Sequence, residues 1–548
     1  MTFDYIIVGA GSAGCILANR LSADPSNSVL LIEAGGRDWK PEIHIPGGYA
    51  KLNKTSVDWG FWSEPQENML GRKLYLPRGK TLGGCSSTNA MAYVRGNKED
   101  YNDWSKEGNA GWSFNEILPY FKKSEYNEDF EDEFHGRAGE LNVAFSKKFK
   151  TPFAQAFVDA CLENGFERNQ DYNGEKQKGA GFFQFNIKNG SRHSAATAFL
   201  KPAMKRSNLT VLTNTFTEKV IVKNDKAIGV QVRKNSRVAT TIKANKEVIL
   251  SAGSFASPQI LMLSGIGDKN ELQAHGIDCI KNLAGVGKNL QDHLFFNVSA
   301  LSTRQEGQNH YLKPLNQLTG VLQWLFSKSG ALTTSPLESV AFGNTTASPN
   351  RVDIQYHFAA FHIGSGYDVD LYDVKTFPTA DGFTILPTLI KPQSRGFLKL
   401  RSSDSSEYPI IQPNFLSKEA DQQVLLEGGK MAIDIIKAGA FDDFRKEIVA
   451  PPDYSSDEAL LHHIKKISET VYHPVGTCKM GNDEMAVVDD SLRVHGIEGL
   501  RVIDASIMPT ITSGNTNAPV YMIAEKGADM ILNKQIVDSK HKTLGAEI

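Results

Sequence analysis

The chain has 548 residues, so a single simple core is excluded and two or more domains are expected. Its 60 lysines and arginines nearly balance 62 aspartates and glutamates, and this net charge of -2 favours neither nucleic acid nor an anionic membrane as a partner. Five scattered cysteines, odd in number and without CxxC spacing, argue against a disulfide scaffold or a zinc site, and a reducing cytoplasm is the expected compartment.

The first predicted strand, Asp4 to Val8, runs into Gly9-Ala10-Gly11-Ser12-Ala13-Gly14 and then a helical stretch from Cys15 to Leu21. A second apolar run, Ser28 to Ile32, ends on Glu33. Strand, glycine turn, helix, strand and acid form the βαβ unit that grips the ADP half of a dinucleotide. Gly9 permits the tight turn, Gly11 lets the backbone approach a pyrophosphate, and Gly14 lets the helix sit close to the strand. The N–H groups at the helix start face the phosphate charge, while Glu33 can accept a ribose hydroxyl. Taken alone, the unit suits NAD as readily as FAD. A strand starting at residue 4 leaves no room for a signal or transit peptide.

Residues 41–130 read as loop-rich, then helical from Phe114 to Ser124, and Pro152 to Gly165 reads as an amphipathic helix. Leu209–Leu212, Lys219–Val222 and Ala227–Val232 read as a short β-meander, and Glu247–Gly253 as a buried strand. The uncharged stretch Val248 to Gly267 holds Pro258 with several serines and glycines, so it suits strand, loop and helix better than a membrane span. Val352–Phe358, Phe383–Leu389 and Gly396–Leu400 alternate cleanly, as in an antiparallel sheet with one covered face. A helix over Asp421–Lys437, a strand at Leu500–Asp504 and a helix over Pro519–Leu532 follow. The expected fold is α/β, or α+β overall: a Rossmann-type nucleotide-binding domain of discontinuous segments (1–150, 190–300 and 445–548) plus a substrate domain with an antiparallel sheet (151–189 and 301–444).

Four further stretches carry chemistry. Gly79-Lys80-Thr81 cannot close a P-loop, because Leu74 stands where that motif needs glycine. Gly83-Gly84 followed by Cys85, Ser86, Ser87 and Asn89 instead offers N–H groups, hydroxyls and an amide without bulk, which suits a pyrophosphate and a planar ring. The others are Gly253–Gly267, Tyr472-His473-Pro474-Val475-Gly476-Thr477-Cys478-Lys479-Met480-Gly481, and Asp504-Ala505-Ser506 through Gly514-Asn515-Thr516-Asn517-Ala518-Pro519. With the N-terminal unit these resemble, in order and over nearly the whole chain, the glucose–methanol–choline (GMC) flavin oxidoreductases. Cys85 departs mildly from the serine or glycine usual in that family.

The resemblance implies FAD held by Gly9, Gly11, Ser12, Ala13, Gly14, Glu33, Ala34, Trp59, Gly83, Gly84, Ser87, Asn89, Ala90, Met91, Ala92, Val220 (through its backbone), Ala252, Gly253, Asp504, Ala505, Asn515 and Thr516. Some members attach FAD covalently through a histidine at the position of Thr88; threonine cannot, so non-covalent FAD is expected. His473 and Asn517 take the catalytic positions, with imidazole as proton acceptor and the amide as orienting group, and Val471 and Tyr472 border the substrate. His462 and His463 on a predicted helix read as structural, and no histidine spacing makes a metal site. Tyr356 and Phe358 are candidates for pocket wall or for core.

The implied reaction is oxidation of a primary alcohol to the aldehyde, with hydride passing to flavin N5 and electrons to a quinone-type acceptor, the protein staying soluble or touching the membrane peripherally. An oxidase forming hydrogen peroxide is the first alternative, and a flavin photodecarboxylase a more distant one. The pattern looks like the choline and aliphatic or aromatic alcohol dehydrogenase branch, yet no aromatic cage or carboxylate for a quaternary ammonium is legible.

Overall fold

The computed structural model describes the chain except residues 235–237, 366, 368 and 545–548, and the side chains of 534–544. Strands β1 (Thr2–Val8), β2 (Val29–Ile32), β3 (Leu209–Leu212), β4 (Thr215–Lys223), β5 (Lys226–Lys234), β6 (Thr240–Leu250) and β7 (Leu500–Val502) form the first sheet. Tyr5, Ile6, Ile7 and Val8 are all buried, as a parallel strand covered on both faces requires. β1 lies parallel between β2 and β6, and the far end of β6 pairs parallel with β7. Helix α1 (Ser12–Leu21) crosses from β1 to β2, and α2 (Gly253–Leu263) leaves β6.

The strand at Leu209–Leu212 differs from its sequence expectation. Leu209–Leu212 is no part of a meander; it adds in parallel to the open edge of β2, while β4, β5 and the start of β6 make the antiparallel ribbon. Nothing in a four-residue apolar run names its partner; here β2 offers free backbone groups along the whole strand.

The second sheet is antiparallel, in the order 445–450, 298–302, 382–389, 354–359, 337–343, 179–182, with 294–295 added beside 382–389 and 469–470 paired in turn with 294–295. Helices Pro152–Glu163 and Glu419–Lys437 cover one face, burying Phe153, Phe157, Leu425 and Ile435 against it. The two large cores divide the chain differently from the expected boundaries. Residues 294–300 and 445–470 join the second sheet through their strand pairing, whereas Leu398, Leu400 and Ile411 pack into the first core. The Phe397–Lys399 strand accordingly pairs with Ile410–Gln412 in a two-stranded sheet apart from the second sheet. Among the described residues, no helix is long and apolar enough to cross a membrane.

Candidate active site

A deep cleft runs from the glycine turn after β1 to the uncovered face of the antiparallel sheet. At one end Gly11 caps α1 without any side-chain acceptor, and the first turn holds no acid. Among the described residues the first-turn N–H groups therefore have no side-chain cap, and Gly11, Ser12 and Ala13 present them to the cleft. A Cβ on Gly9 would stand 2.5 Å from the Ser251 carbonyl, and one on Gly14 would stand 1.9 Å from the Gly9 carbonyl. Gly14 thus shapes the turn from behind and does not line the cleft.

Glu33 accepts hydrogen bonds from the N–H groups of Ala10 (2.9 Å) and Gly35 (2.8 Å), and burial pushes its carboxyl up to about 7. Ala34 and Trp59 line the same stretch. The loop after Leu82 lies against the turn: a Cβ on Gly84 would come within 2.7 Å of Gly11 Cα. Gly83 and Ser87 stand behind this loop, the former donating to Ala10 O and the latter to Leu82 O, while Cys85, Thr88, Asn89, Ala90, Met91 and Ala92 face the cleft.

Two details revise the expected dinucleotide contacts. The Val220 N–H is taken by Ser264 Oγ at 2.8 Å and faces away; Thr215, Phe216 and Thr217 of the same strand line the cleft instead. Asp504 reaches the cleft with Ala505, yet its oxygens hold Gly253 N, Ser257 Oγ, Ser506 N and Ser506 Oγ, so it clamps the wall together. Ala252, Gly253 and Thr516 line the cleft, and Gly253, at φ +81°, leaves open space where a Cβ would be. Thr217 Oγ1 and Ser251 Oγ are buried on the cleft wall without a protein partner among the described residues, as expected where a polar ligand completes the site. An uncapped helix start, a wall of missing Cβ atoms and orphaned polar groups fit a dinucleotide.

At the other end, His473 follows Tyr472, whose φ of +66° is strained for a tyrosine, and precedes Pro474. Its N–H donates to Asp292 Oδ1 (2.8 Å), and Asp292 also accepts from Thr470 Oγ1. Burial pushes the Asp292 carboxyl up to about 6. His473 Nδ1 lies 3.0 Å from His293 Nδ1, and His293 Nε2 lies 3.1 Å from the Ile390 carbonyl. That chain sets the protons. A carbonyl only accepts, so His293 Nε2 carries hydrogen. Burial depresses His293 to about 3, leaving it neutral with a bare Nδ1 that accepts from His473 Nδ1–H. Burial first, then His293, His357 and Arg78, drive His473 well below its ordinary value. Neutral His473 therefore turns a bare Nε2 to the cleft.

Asn515, not Asn517, meets that nitrogen. Asn515 Nδ2 lies 3.3 Å from His473 Nε2, and its Oδ1 accepts from Gln355 at 3.4 Å. Asn517, expected in this place, begins the C-terminal helix (Asn517–Leu544), accepts from Ser12 Oγ (2.7 Å) and donates to Tyr521 Oη (2.8 Å). It braces that helix against the start of α1. Val471 and Tyr472 line the cleft beside His473. Tyr356 and Phe358 point into the covered core, and His357 between them faces the site. His293, Gln355, His357 and Arg78 carry no recognisable motif; the polar run Gln291-Asp292-His293 entering an apolar strand was their one local sign.

Fold and cleft together define a dinucleotide-dependent oxidoreductase with a histidine–amide pair at the reacting end. The chain belongs to the GMC oxidoreductase family, whose sequence patterns match residues 3–295 and 392–524. It is 41% identical to an alcohol dehydrogenase [acceptor] of Pseudomonas putida over 99% of this chain and 98% of that one. It is also 41% identical to an oxygen-dependent choline dehydrogenase of Sinorhizobium fredii, over 98% and 96%. The crystal structure of pyridoxine 4-oxidase from Mesorbium loti superposes with a TM-score of 0.87 at 30% identity, covering 96% of this chain and 98% of that one. The protein is an FAD-dependent oxidoreductase acting on CH–OH donors.

Proposed function

We propose that the enzyme oxidises an apolar primary alcohol to its aldehyde, with His473 Nε2 taking the hydroxyl proton and Asn515 orienting the oxygen. The observation that carries this reading is the Ile390–His293–His473 chain, which leaves a bare nitrogen beside an amide inside the cleft. FAD, when bound, supplies the hydride acceptor; Gly11, Ser12 and Ala13 would hold its phosphates and Glu33 its ribose. Met91, Phe295, Leu337, Leu386 and Val471 contribute apolar wall, with Phe295 paired beside Thr388 and Glu469. Of the cleft carboxylates Glu33, Asp58, Glu407 and Asp504, all but Glu407 already serve backbone N–H groups and are poor partners for a quaternary ammonium. An anaerobic panel tests this: aliphatic or aromatic primary alcohols should bleach the flavin and choline should not. Bleaching by choline alone would overturn the substrate class.

For the electron acceptor the reading is a quinone, supported by the acceptor-type naming of the Pseudomonas relative. Oxygen is the competing choice, favoured by the Sinorhizobium relative's name. Hydrogen peroxide forming in step with aldehyde would establish oxygen. Thr88 lines the cleft where a covalent link would need a stronger nucleophile, so FAD is held non-covalently. Acid precipitation should leave the yellow colour in the supernatant; colour in the pellet would mean a bond.

The two asparagines are separable by mutation. Asn515→Ala should slow flavin reduction by about tenfold or more, the size of a lost hydrogen bond to a charged group, with FAD retained. Asn517→Ala should leave that rate within about threefold and instead lower thermal stability, by about 1 kcal/mol for a lost buried hydrogen bond. Stopped-flow reduction and melting curves read both, and the reverse pattern would restore Asn517 to the catalytic role.

A further inference from the structure

Helix α3 (Pro314–Ser327) shows solvent an apolar face. Leu315, Leu318, Leu322, Leu325 and Phe326 are 77, 58, 44, 54 and 85% exposed. Their spacing of three, four, three and one puts them on one stripe of the helix. Gly320 and Trp324 form the inner face, where Trp324 Nε1 donates to the Gly190 carbonyl at 2.8 Å. Such a continuous apolar surface is unusual on a water-facing helix and marks a contact.

The charged residues that flank the stripe in the chain have one sign. α3 itself contains no acidic or basic residue; Lys313 precedes it and Lys328 follows it. From the neighbouring turn, Lys51 Nζ reaches Gln317 Oε1 at 3.0 Å. Among the described residues none of these three lysines forms an ion pair. The near-zero charge of the whole chain conceals this local excess.

We propose that α3 docks the enzyme on an anionic phospholipid surface, its leucines and phenylalanine entering the headgroup–acyl boundary and Lys51, Lys313 and Lys328 meeting phosphates. A second copy of the chain fits less well. A two-fold pairing across α3 would set lysines against lysines, with no acid on the helix to offset them. The location is also suited to a membrane-dissolved reactant. Leu332 touches the positions of both Gly320 and Gly47, and Gly47 belongs to the turn (Pro46–Leu52) from which Tyr49 and Leu52 line the cleft. The docked face thus lies next to the cleft wall. This inference goes beyond the acceptor reading and does not need it.

The test is sedimentation of the FAD-loaded enzyme with vesicles of phosphatidylcholine plus phosphatidylglycerol, against phosphatidylcholine alone. The wild type should pellet with the anionic vesicles and much less with the neutral ones. Leu322→Glu with Phe326→Glu should cut the bound fraction by about tenfold or more, as removal of two apolar anchors implies. Its flavin spectrum and its turnover with a soluble dye should stay those of the wild type. Lys313→Glu with Lys328→Glu should weaken binding to anionic vesicles alone. Wild-type protein left in the supernatant with both vesicles would overturn the proposal, as would equal binding by the leucine–phenylalanine variant. A wild-type dimer that this variant converts to monomer, without vesicle binding, would assign the face to a second copy. If oxygen proves to be the acceptor, vesicle binding should persist, so the two readings fail separately.

Discussion

His473→Ala is expected to slow reduction of the flavin by alcohol about 10²–10⁴-fold while the purified protein stays yellow. The size follows from the role: removing a positioned proton acceptor raises the barrier, whereas the dinucleotide grip lies at the other end of the cleft. The pH dependence carries a sign that separates this role from a structural one. His473 is held well below its ordinary value, so protonation blocks its Nε2 only in strongly acidic solution. In the wild type the rate of reduction should therefore rise with pH through a value well under 6.5 and stay flat from there across neutrality. In His473→Ala that acidic limb should vanish along with the rate. Stopped-flow reduction under anaerobic conditions, repeated across pH, reads both effects. An alanine variant reduced at the wild-type rate would remove His473 from the chemistry, and a limb near 6.5 or above would contradict the neutral tautomer chain through His293.

What the sequence revealed about this site depends on how local each relation is. The glycine turn was legible because Gly9, Gly11 and Gly14 recur at a fixed short spacing between a strand and a helix, although the atom that a Cβ on Gly9 would strike belongs to the distant Ser251. Asn515 and Asn517 were confused because both sit in one loop, two positions apart, where the chain turns into a helix. Which amide faces the histidine depends on Gly514, at φ +141°, and on Gln355 from a strand 160 positions earlier. The same limit explains Tyr356 and Phe358. Alternation revealed a strand with two faces, but it did not say which face met the covering helices. The partners of His473 are further still from any motif: His293 is 180 positions away in the chain and contributes through a proton arrangement, which composition cannot display. Val220 is placed differently for a simpler reason, since Ser264 already satisfies its N–H and Thr215, Phe216 and Thr217 of the same strand line the cleft.

Two glycines of the first turn should respond in opposite ways, and this contrast tests the FAD grip most directly. A Cβ built on Gly11 meets nothing nearer than the Ser251 carbonyl at 4.0 Å, and its φ of -74° is comfortable for a branched residue. Gly11→Val should therefore fold, with the far-ultraviolet dichroism of the wild-type apoprotein. Its side chain, however, would project in front of the uncapped N–H groups of α1 and keep a pyrophosphate from reaching them. Losing two such charge-assisted hydrogen bonds should weaken FAD binding by about 10²–10⁴-fold, and the protein should purify colourless. Gly14→Ala faces backbone on its blocked side, with its Cβ 1.9 Å from Gly9 O and 3.0 Å from Gly9 C. Neither atom can rotate away, so α1 must lift from β1, at a cost of about 1–3 kcal/mol or more. That variant should lose thermal stability even when compared with apoprotein, and lose FAD as a consequence. Titration of each refolded apoprotein with FAD, beside its melting curve, separates the two effects. A yellow Gly11→Val protein with unchanged affinity would mean that the phosphates do not lie at the start of α1.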